Sequence, residues 1–475
     1  MTISPAQGTD VVRRRVVIIG GGVAGTAAFA ALARAGVDVQ VDIVDPLAAG
    51  AGPAFGVGDA ALLCNTSVDL MSLLPGLPAD FHESLRARGV PAGREEFAPR
   101  REFARYLREV YETWAGRPGM SHRRVSRRAL AVRPLGPGEG YRVVLDDGSG
   151  LTASDVLVCL GWGPPRVPDG LRDRPGIVTS PFPEERMLES VRPSGRVLVL
   201  GTRLSAIDAA LLLTRHGHRV TLASPSGALP AVRTRTVRGA ARIDPAEVHA
   251  LDPADPRLTR RILDLVTRTL GTAPTCADAS IGTLERLRSE VELARRGQVG
   301  WQDVLVELVD LANPILVRRD QDARRRVLRA CEPLTRYLGS FPLCNAERLL
   351  GLLDTGQVKV RAGTPRRLDG PSPFWRVQWP DGRSEHFDGV VCATGFTGRP
   401  LRVRSGVLTL PKAHDASPVA GAPPELDADL RLRVDGRSER IWLLGVSSGV
   451  RMPFVNAVHH ATDQAEAFTR AFAET

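Results

Sequence analysis

Residues 15–45 read RVVIIGGGVAGTAAFAALARAGVDVQVDIVD, and this stretch decides the fold. The β-branched run Val16 to Ile19 predicts a buried parallel strand. Gly20-x-Gly22-x-x-Gly25 then opens an Ala-rich helix that runs to about Ala35, with Gly36 as its stop. A second strand, Val39 to Val44, ends at Asp45. In such a turn Gly20 permits the tight bend, Gly22 lets the backbone approach a pyrophosphate, and Gly25 lets helix and strand pack closely. Free N–H groups and a partial positive charge at the helix start favour the phosphates. Asp45 stands twenty residues after Gly25, where a carboxylate accepts hydrogen bonds from a ribose diol. The candidate dinucleotide site is therefore Gly20, Gly22, Val23, Ala24, Gly25, Asp45 and Pro46.

Residues 196–224, RVLVLGTRLSAIDAALLLTRHGHRVTLAS, repeat the pattern of strand, turn, helix and strand. Gly201, Arg203, Leu204 and Ser205 are its candidate nucleotide residues. Arg203 stands where a GxGxxA turn carries its second glycine, so a side chain falls where a pyrophosphate would approach. That departure leaves nucleotide binding at the second turn open. The second strand ends at Ser224 rather than an acid, which favours NADPH over NADH if a nucleotide binds. The regions downstream also recur. Residues 129–163 and 357–396 each predict a strand, a strand with an Asp-Gly turn, and a buried strand ending in glycine that returns to the dinucleotide sheet. The fold class is α/β, with two Rossmann-like domains, each with a β-meander. Between them, residues 235–345 carry helical spacing in ERLRSEVELARR, WQDVLVELVDLANPILV and RRVLRACEPLTRYLGSF. The division expected is a first part of the first dinucleotide-binding domain at 1–170, a second such domain with its helical insertion at 171–385, and the rest of the first domain at 386–475.

Composition sets the bounds. At 475 residues, 43% hydrophobic and 24% charged, the chain is long enough for two or three domains and is neither disordered nor disulfide-stapled. All but two of the 63 basic residues (Lys359 and Lys412) are Arg, spread without a long block. The net charge of +10 therefore reads as a solvated basic surface, not a nucleic-acid footprint. Six cysteines with no CxxC pair predict buried, reduced thiols and a cytoplasmic protein. Arg13-Arg14-Arg15 before an apolar stretch mimics a secretory signal, but four glycines and Arg34 break that stretch into strand, turn and helix. No membrane span is expected. Nucleophile elbow, P-loop and metal-ligand spacing are all lacking.

Five stretches carry a resemblance: GGGVAG (20–25), LLCNTSVDLMSLLPG (62–76), PRREFARYL (99–107), VLVLGTRLSAID (197–208) and VVCATGF (390–396). With them the chain resembles the two-dinucleotide-fold flavoproteins, and within these the FAD/NAD(P)-binding proteins related to class B flavin monooxygenases. Amino-acid N-hydroxylases carry a similar R-x-E-F-x-x-Y stretch, matched by Arg100, Glu102, Phe103 and Tyr106. The resemblance covers residues 14–225 and about 340–470.

It implies FAD at the first turn and NADPH at the second. Reduced flavin would react with dioxygen to give a hydroperoxide, held in a dry pocket until a small amine or amino-acid-like substrate attacks it. It also implies that Arg100 lies near the flavin or nicotinamide, and that Asn65 and Met71 face the flavin. Thr394 and Gly395 would join the domains near the cofactors. Near the C-terminus a turn at Gly445 leads to a final helix, expected from about Phe454, whose N-terminus would face the flavin, which makes Arg451 and Asn456 candidate catalytic residues along with Arg100 and Asn65. His459 and His460 are read as structural, because adjacent helix positions point in different directions. Trp301 and Tyr337 read as core. Two alternatives stay open: an oxidase or internal-redox enzyme whose nicotinamide site Arg203 has closed, and a non-catalytic FAD-binding partner protein. The insertion leaves a homo-oligomer open, and the charge bias an anionic substrate.

Overall fold

The computed structural model describes residues 14–117, 121–239, 243–411 and 420–474. The strand Arg14–Ile19 lies inside a seven-stranded sheet with spatial order 425–426, 431–434, 437–443, 155–158, 14–19, 39–44 and 121–125. Its neighbours Val39–Val44 and Asp155–Val158 both run parallel to it, pairing Ile19 with Val44 and Val158. Val16, Val17, Ile18 and Ile19 are buried, as a central parallel strand requires. Each such side chain contributes about 1.5–3 kcal/mol. The helix Val23–Ala35 packs against the helices Arg100–Ala115 and Val458–Ala473. It stops at Gly36, whose φ of +66° is the left-handed value that favours glycine.

The second unit is a five-stranded, wholly parallel sheet in the order 358–362, 219–224, 196–200, 389–392 and 177–178. Around the turn strand it reproduces the first sheet, so the duplication expected from the two glycine turns holds. Three details differ from expectation. Val358–Ala362 is no meander strand: it pairs in parallel with Val220–Ser224, delivered there by the preceding helix Leu343–Asp354. Parallel pairing needs such a crossover, which strand alternation alone does not report. The second meander is therefore 367–369, 375–378 and 384–387, while the first gains 402–404 and 407–409 to become five-stranded. Gly389–Cys392 pairs with Val197–Leu200, so a boundary at 386 would cut it from its sheet, and the second unit runs past Cys392.

The insertion is helical: Pro245–His249, Leu258–Leu270, Thr283–Arg295, Gln302–Leu316, Gln321–Cys331 and Thr335–Leu338. Thr283–Arg295 joins the second unit's core through Leu287, Val291 and Ala294. The others build a separate apolar core around Ile262, Leu265, Trp301 and Leu305. Trp301 stacks edge-on against Tyr337 at 4.7 Å, as core residues do. Cys64, Cys159, Cys331 and Cys392 are buried thiols and Cys344 is half-buried, but Cys276 is exposed. Among the described residues no helix is long and apolar enough to cross a membrane.

Candidate functional site

The first turn shows what each glycine is for. A Cβ on Gly25 would lie 1.9 Å from the Gly20 carbonyl oxygen, and one on Gly20 would lie 2.5 Å from that of Cys159. Both positions are closed by the fold itself. A Cβ on Gly22 would meet nothing within 4 Å. Gly22 caps the helix that starts at Val23, so it borders open space at a helix N-terminus, and a pyrophosphate fits there. Asp45 accepts a 2.7 Å hydrogen bond from Gly21 N–H on Oδ2 and one of 2.8 Å from Leu47 N–H on Oδ1. Each oxygen keeps a further lone pair for a ribose hydroxyl. Pro46 is exposed beside it. From the far end of the chain, Gly445 packs so closely on Ala24 that a Cβ there would lie 2.9 Å from the Ala24 Cβ. Gly445 N–H donates to Gln464 Oε1 at 2.6 Å, tying this turn to the final helix. That helix starts at Val458, not Phe454.

Sequence reasoning missed Arg399, which donates through Nε to the Gly161 carbonyl at 2.9 Å. Burial lowers its guanidinium below the ordinary value, the charge of Arg128 adds to that, and Asp45 opposes it. Arg399 thus lies within reach of the charges of both Asp45 and Arg128. The signal was available in Gly395-Phe396-Thr397-Gly398-Arg399, where the chain leaves the second sheet. Thr394 and Gly395 do lie at the crossing: Arg166 N–H donates to Gly395 O at 2.9 Å, and Thr394 Oγ1 donates to Arg166 O.

The second turn copies the first. A Cβ on Gly201 would lie 2.4 Å from Ala393 O, as Gly20 stands to Cys159. Arg203 caps its helix with φ −92° and ψ −170°, against −81° and −156° at Gly22. This is extended backbone, so the arginine costs no strain there, and its side chain is exposed. Leu204 and Ser205 form the half-buried first turn.

Arg100 connects the first unit to the helix of the second turn. Its Nε donates to Leu63 O at 3.1 Å, and its Nη2 pairs with Asp208 Oδ2 at 2.5 Å, with the guanidinium over the Phe182 ring. Asp208 lies one helical turn after Leu204. In the rest of the R-x-E-F-x-x-Y stretch, buried Glu102 pairs with Arg105 at 2.9 Å, and the two aromatic rings are packing. Phe103 is fully buried, and Tyr106 donates to Asp80 at 2.6 Å while accepting from Leu73 N–H at 2.9 Å. The helix thereby holds the loop 62–76. In that loop Met71 is buried in the first core, Asn65 is half-buried, and Ser67 Oγ exchanges hydrogen bonds with the Thr236 backbone of the insertion. Arg451 is half-buried, with a buried Nε that finds no partner among the described residues, and its charge lowers Arg324 beyond what burial does. Asn456 is exposed. His459 and His460 were expected to diverge. Instead both direct Nε2 at Asp310 Oδ1, at 3.1 and 3.0 Å.

Residues 17–163 match a family model described as FAD-NAD(P)-binding. No curated protein matches the chain. Among solved structures it is similar to ornithine hydroxylase from Pseudomonas aeruginosa, at 18% identity and TM-score 0.60 over 98% of this chain and 99% of that one. It is also similar to L-lysine 6-monooxygenase from Pseudomonas syringae and to an ornithine N-hydroxylase from Kutzneria sp. 744. Each of these is 16% identical with TM-score 0.56, over 97% of this chain and 99% of the other. At these identities the likeness is one of fold, and it spans the insertion as well as both dinucleotide units.

Proposed function

We propose that the chain is an FAD-dependent oxidoreductase that takes electrons from NADPH and hydroxylates a small amine or amino-acid-like metabolite with dioxygen. The balance is one NADPH, one proton and one O2 consumed per hydroxylated amine, with NADP+ and water released. The observation that carries this reading is the pair of matching glycine turns, each at the end of a buried parallel strand, with the two units tied by Arg100 and Asp208. A single-nucleotide protein has no use for the second. Whole-chain similarity to three amine hydroxylases supports the substrate class.

Each residue has a task in this reading. Gly22 and the helix start receive the FAD pyrophosphate, and Asp45 accepts from its ribose. Gly445 and the final helix close the site from the other side. Bound FAD supplies the redox chemistry: it accepts hydride and activates oxygen. Arg203 offers an exposed cation at the start of a helix, which suits the NADPH phosphates and disfavours the reading in which it plugs the site. Arg451 and Arg324 offer positive charge to an anionic end of the substrate.

The test is the visible spectrum of the purified protein, followed anaerobically with NADPH and then NADH. A yellow protein bleached by NADPH, and then consuming oxygen faster when an amine substrate is added, is the expected result. A yellow protein bleached by neither nucleotide would overturn the NADPH assignment and favour an oxidase.

A further inference from the structure

One carboxylate of the insertion gathers three basic side chains from two other parts of the chain. Asp310 lies on the insertion helix Gln302–Leu316, and His459 and His460 lie in the first turn of the final helix. Both imidazole Nε2 atoms converge on Asp310 Oδ1, while Arg238 Nε donates to Oδ2 at 2.7 Å. The outer nitrogen of Arg238 reaches Asp463 at 3.0 Å. We propose that Asp310, His459 and His460 form a three-ligand site for a borderline divalent metal of the zinc class, with a fourth position open to solvent.

The ligand set is the first reason. Two imidazoles and one carboxylate suit zinc and its late first-row neighbours rather than magnesium or calcium, which take oxygen. Among the described residues this is the one group of three such side chains whose ligand atoms all lie within 4.8 Å. Geometry is the second. Bonds of about 2.0 Å in a tetrahedral site put ligand atoms about 3.3 Å apart. The Nε2 to Oδ1 separations of 3.1 and 3.0 Å need to open by only a few tenths of an ångström.

The ring nitrogens are the third. Both Nδ1 atoms are buried with no hydrogen-bond partner among the described residues, so no contact there fixes which ring nitrogen carries the proton. A metal needs the Nε2 lone pairs, and moving the proton to Nδ1 provides them at the cost of the two bonds to Asp310.

The surroundings are consistent with a ligand site. Arg238 orients the carboxylate through its second oxygen, as outer partners of metal ligands do. Its charge and the helix start work against a cation, and Asp463 offsets part of this. The site is therefore expected to bind less tightly than a four-ligand structural zinc. The side chains of His459, His460 and Asp310 keep 9%, 10% and 15% exposure, so solvent reaches all three. A bound metal would clamp the insertion to the final helix.

The experiment is titration of metal-stripped full-length protein with Zn2+, read by calorimetry, and with Co2+, read by its visible ligand-field bands above the flavin absorption. Wild type is expected to take one equivalent of each. His459→Gln/His460→Gln keeps donors for Asp310 and is expected to lose binding at least a hundredfold. No stoichiometric binding by wild type, or equal binding by the double Gln variant, overturns the proposal. X-ray absorption of the zinc-loaded wild type is a check that needs no variant. Two imidazole ligands are expected, and a sulfur ligand would place the metal on a cysteine and overturn it. None of these readouts depends on the proposed oxidoreductase activity.

Discussion

Arg100 and Asp208 close a 2.5 Å ion pair between the start of the helix Arg100–Ala115 in the first dinucleotide unit and the turn helix of the second, with side chains only 12% and 4% exposed. Burial raises Asp208 above its ordinary value and Arg100 opposes that shift, so the carboxylate depends on its partner. The pair is a joint between the two units.

Asp208→Ala leaves the Arg100 guanidinium buried and unpaired, and is expected to cost about 3–5 kcal/mol. The double replacement Arg100→Met/Asp208→Leu removes both charges and is expected to recover most of that loss in urea unfolding. Reduction by NADPH should stay slow in the double variant, because the joint is gone although the fold is restored. Full-rate reduction there would show that the pair is structural only.

Gly22→Ala and Gly25→Ala separate binding from folding. At Gly25 the new methyl would stand 1.9 Å from a carbonyl oxygen, so this variant is expected in the insoluble fraction. At Gly22 the methyl meets no protein atom and the φ of −81° is ordinary. That variant is expected to melt within about 0.5 kcal/mol of wild type. It should nevertheless be purified with less than a tenth of the flavin. Normal flavin content would place the cofactor elsewhere.

Arg203→Glu puts an anion where the proposed function needs a cation. The expected result is at least a tenfold rise in the Kd for NADPH, with an unchanged melting curve because the side chain is exposed. Arg203→Gly should also weaken NADPH. Tighter binding by the glycine variant would mean that the arginine obstructs the site.

Asp303 provides a pH dependence with a definite sign. Burial lifts its carboxyl to about 6, against the pull of the Val237 N–H and the charges of Arg233 and Arg235. With the folded value raised, the native state holds more protons than the unfolded one between about pH 4 and 6. The stabilisation is complete below that window and lost as the pH rises through 6. Asp303→Asn keeps an acceptor for Val237 and does not titrate. Partial exposure discounts the effect, so Asn is expected to be stabilising relative to wild type at pH 8 by about 1–2 kcal/mol more than at pH 4. Thermal melts at the two pH values would show parallel curves if Asp303 were unperturbed.

What could be read from the chain alone follows from short-range physics. A β-branched run, glycines at fixed spacing and an acid at the strand end are constraints between residues a few positions apart, and they located both turns and the α/β class. Helical periodicity marked the insertion for the same reason. The sheet to which Val358–Ala362 belongs was not legible, because its alternation suits a parallel edge and a meander alike. Nor were the site's joints. Arg399 meets Gly161, Arg100 meets Asp208, and His459 and His460 meet Asp310, all across more than a hundred positions of chain. Adjacent helix residues diverge along an isolated helix, yet a carboxylate placed between them by another helix draws both rings to one oxygen. Such convergence depends on where packed elements bring distant side chains, and only the tertiary structure decides that.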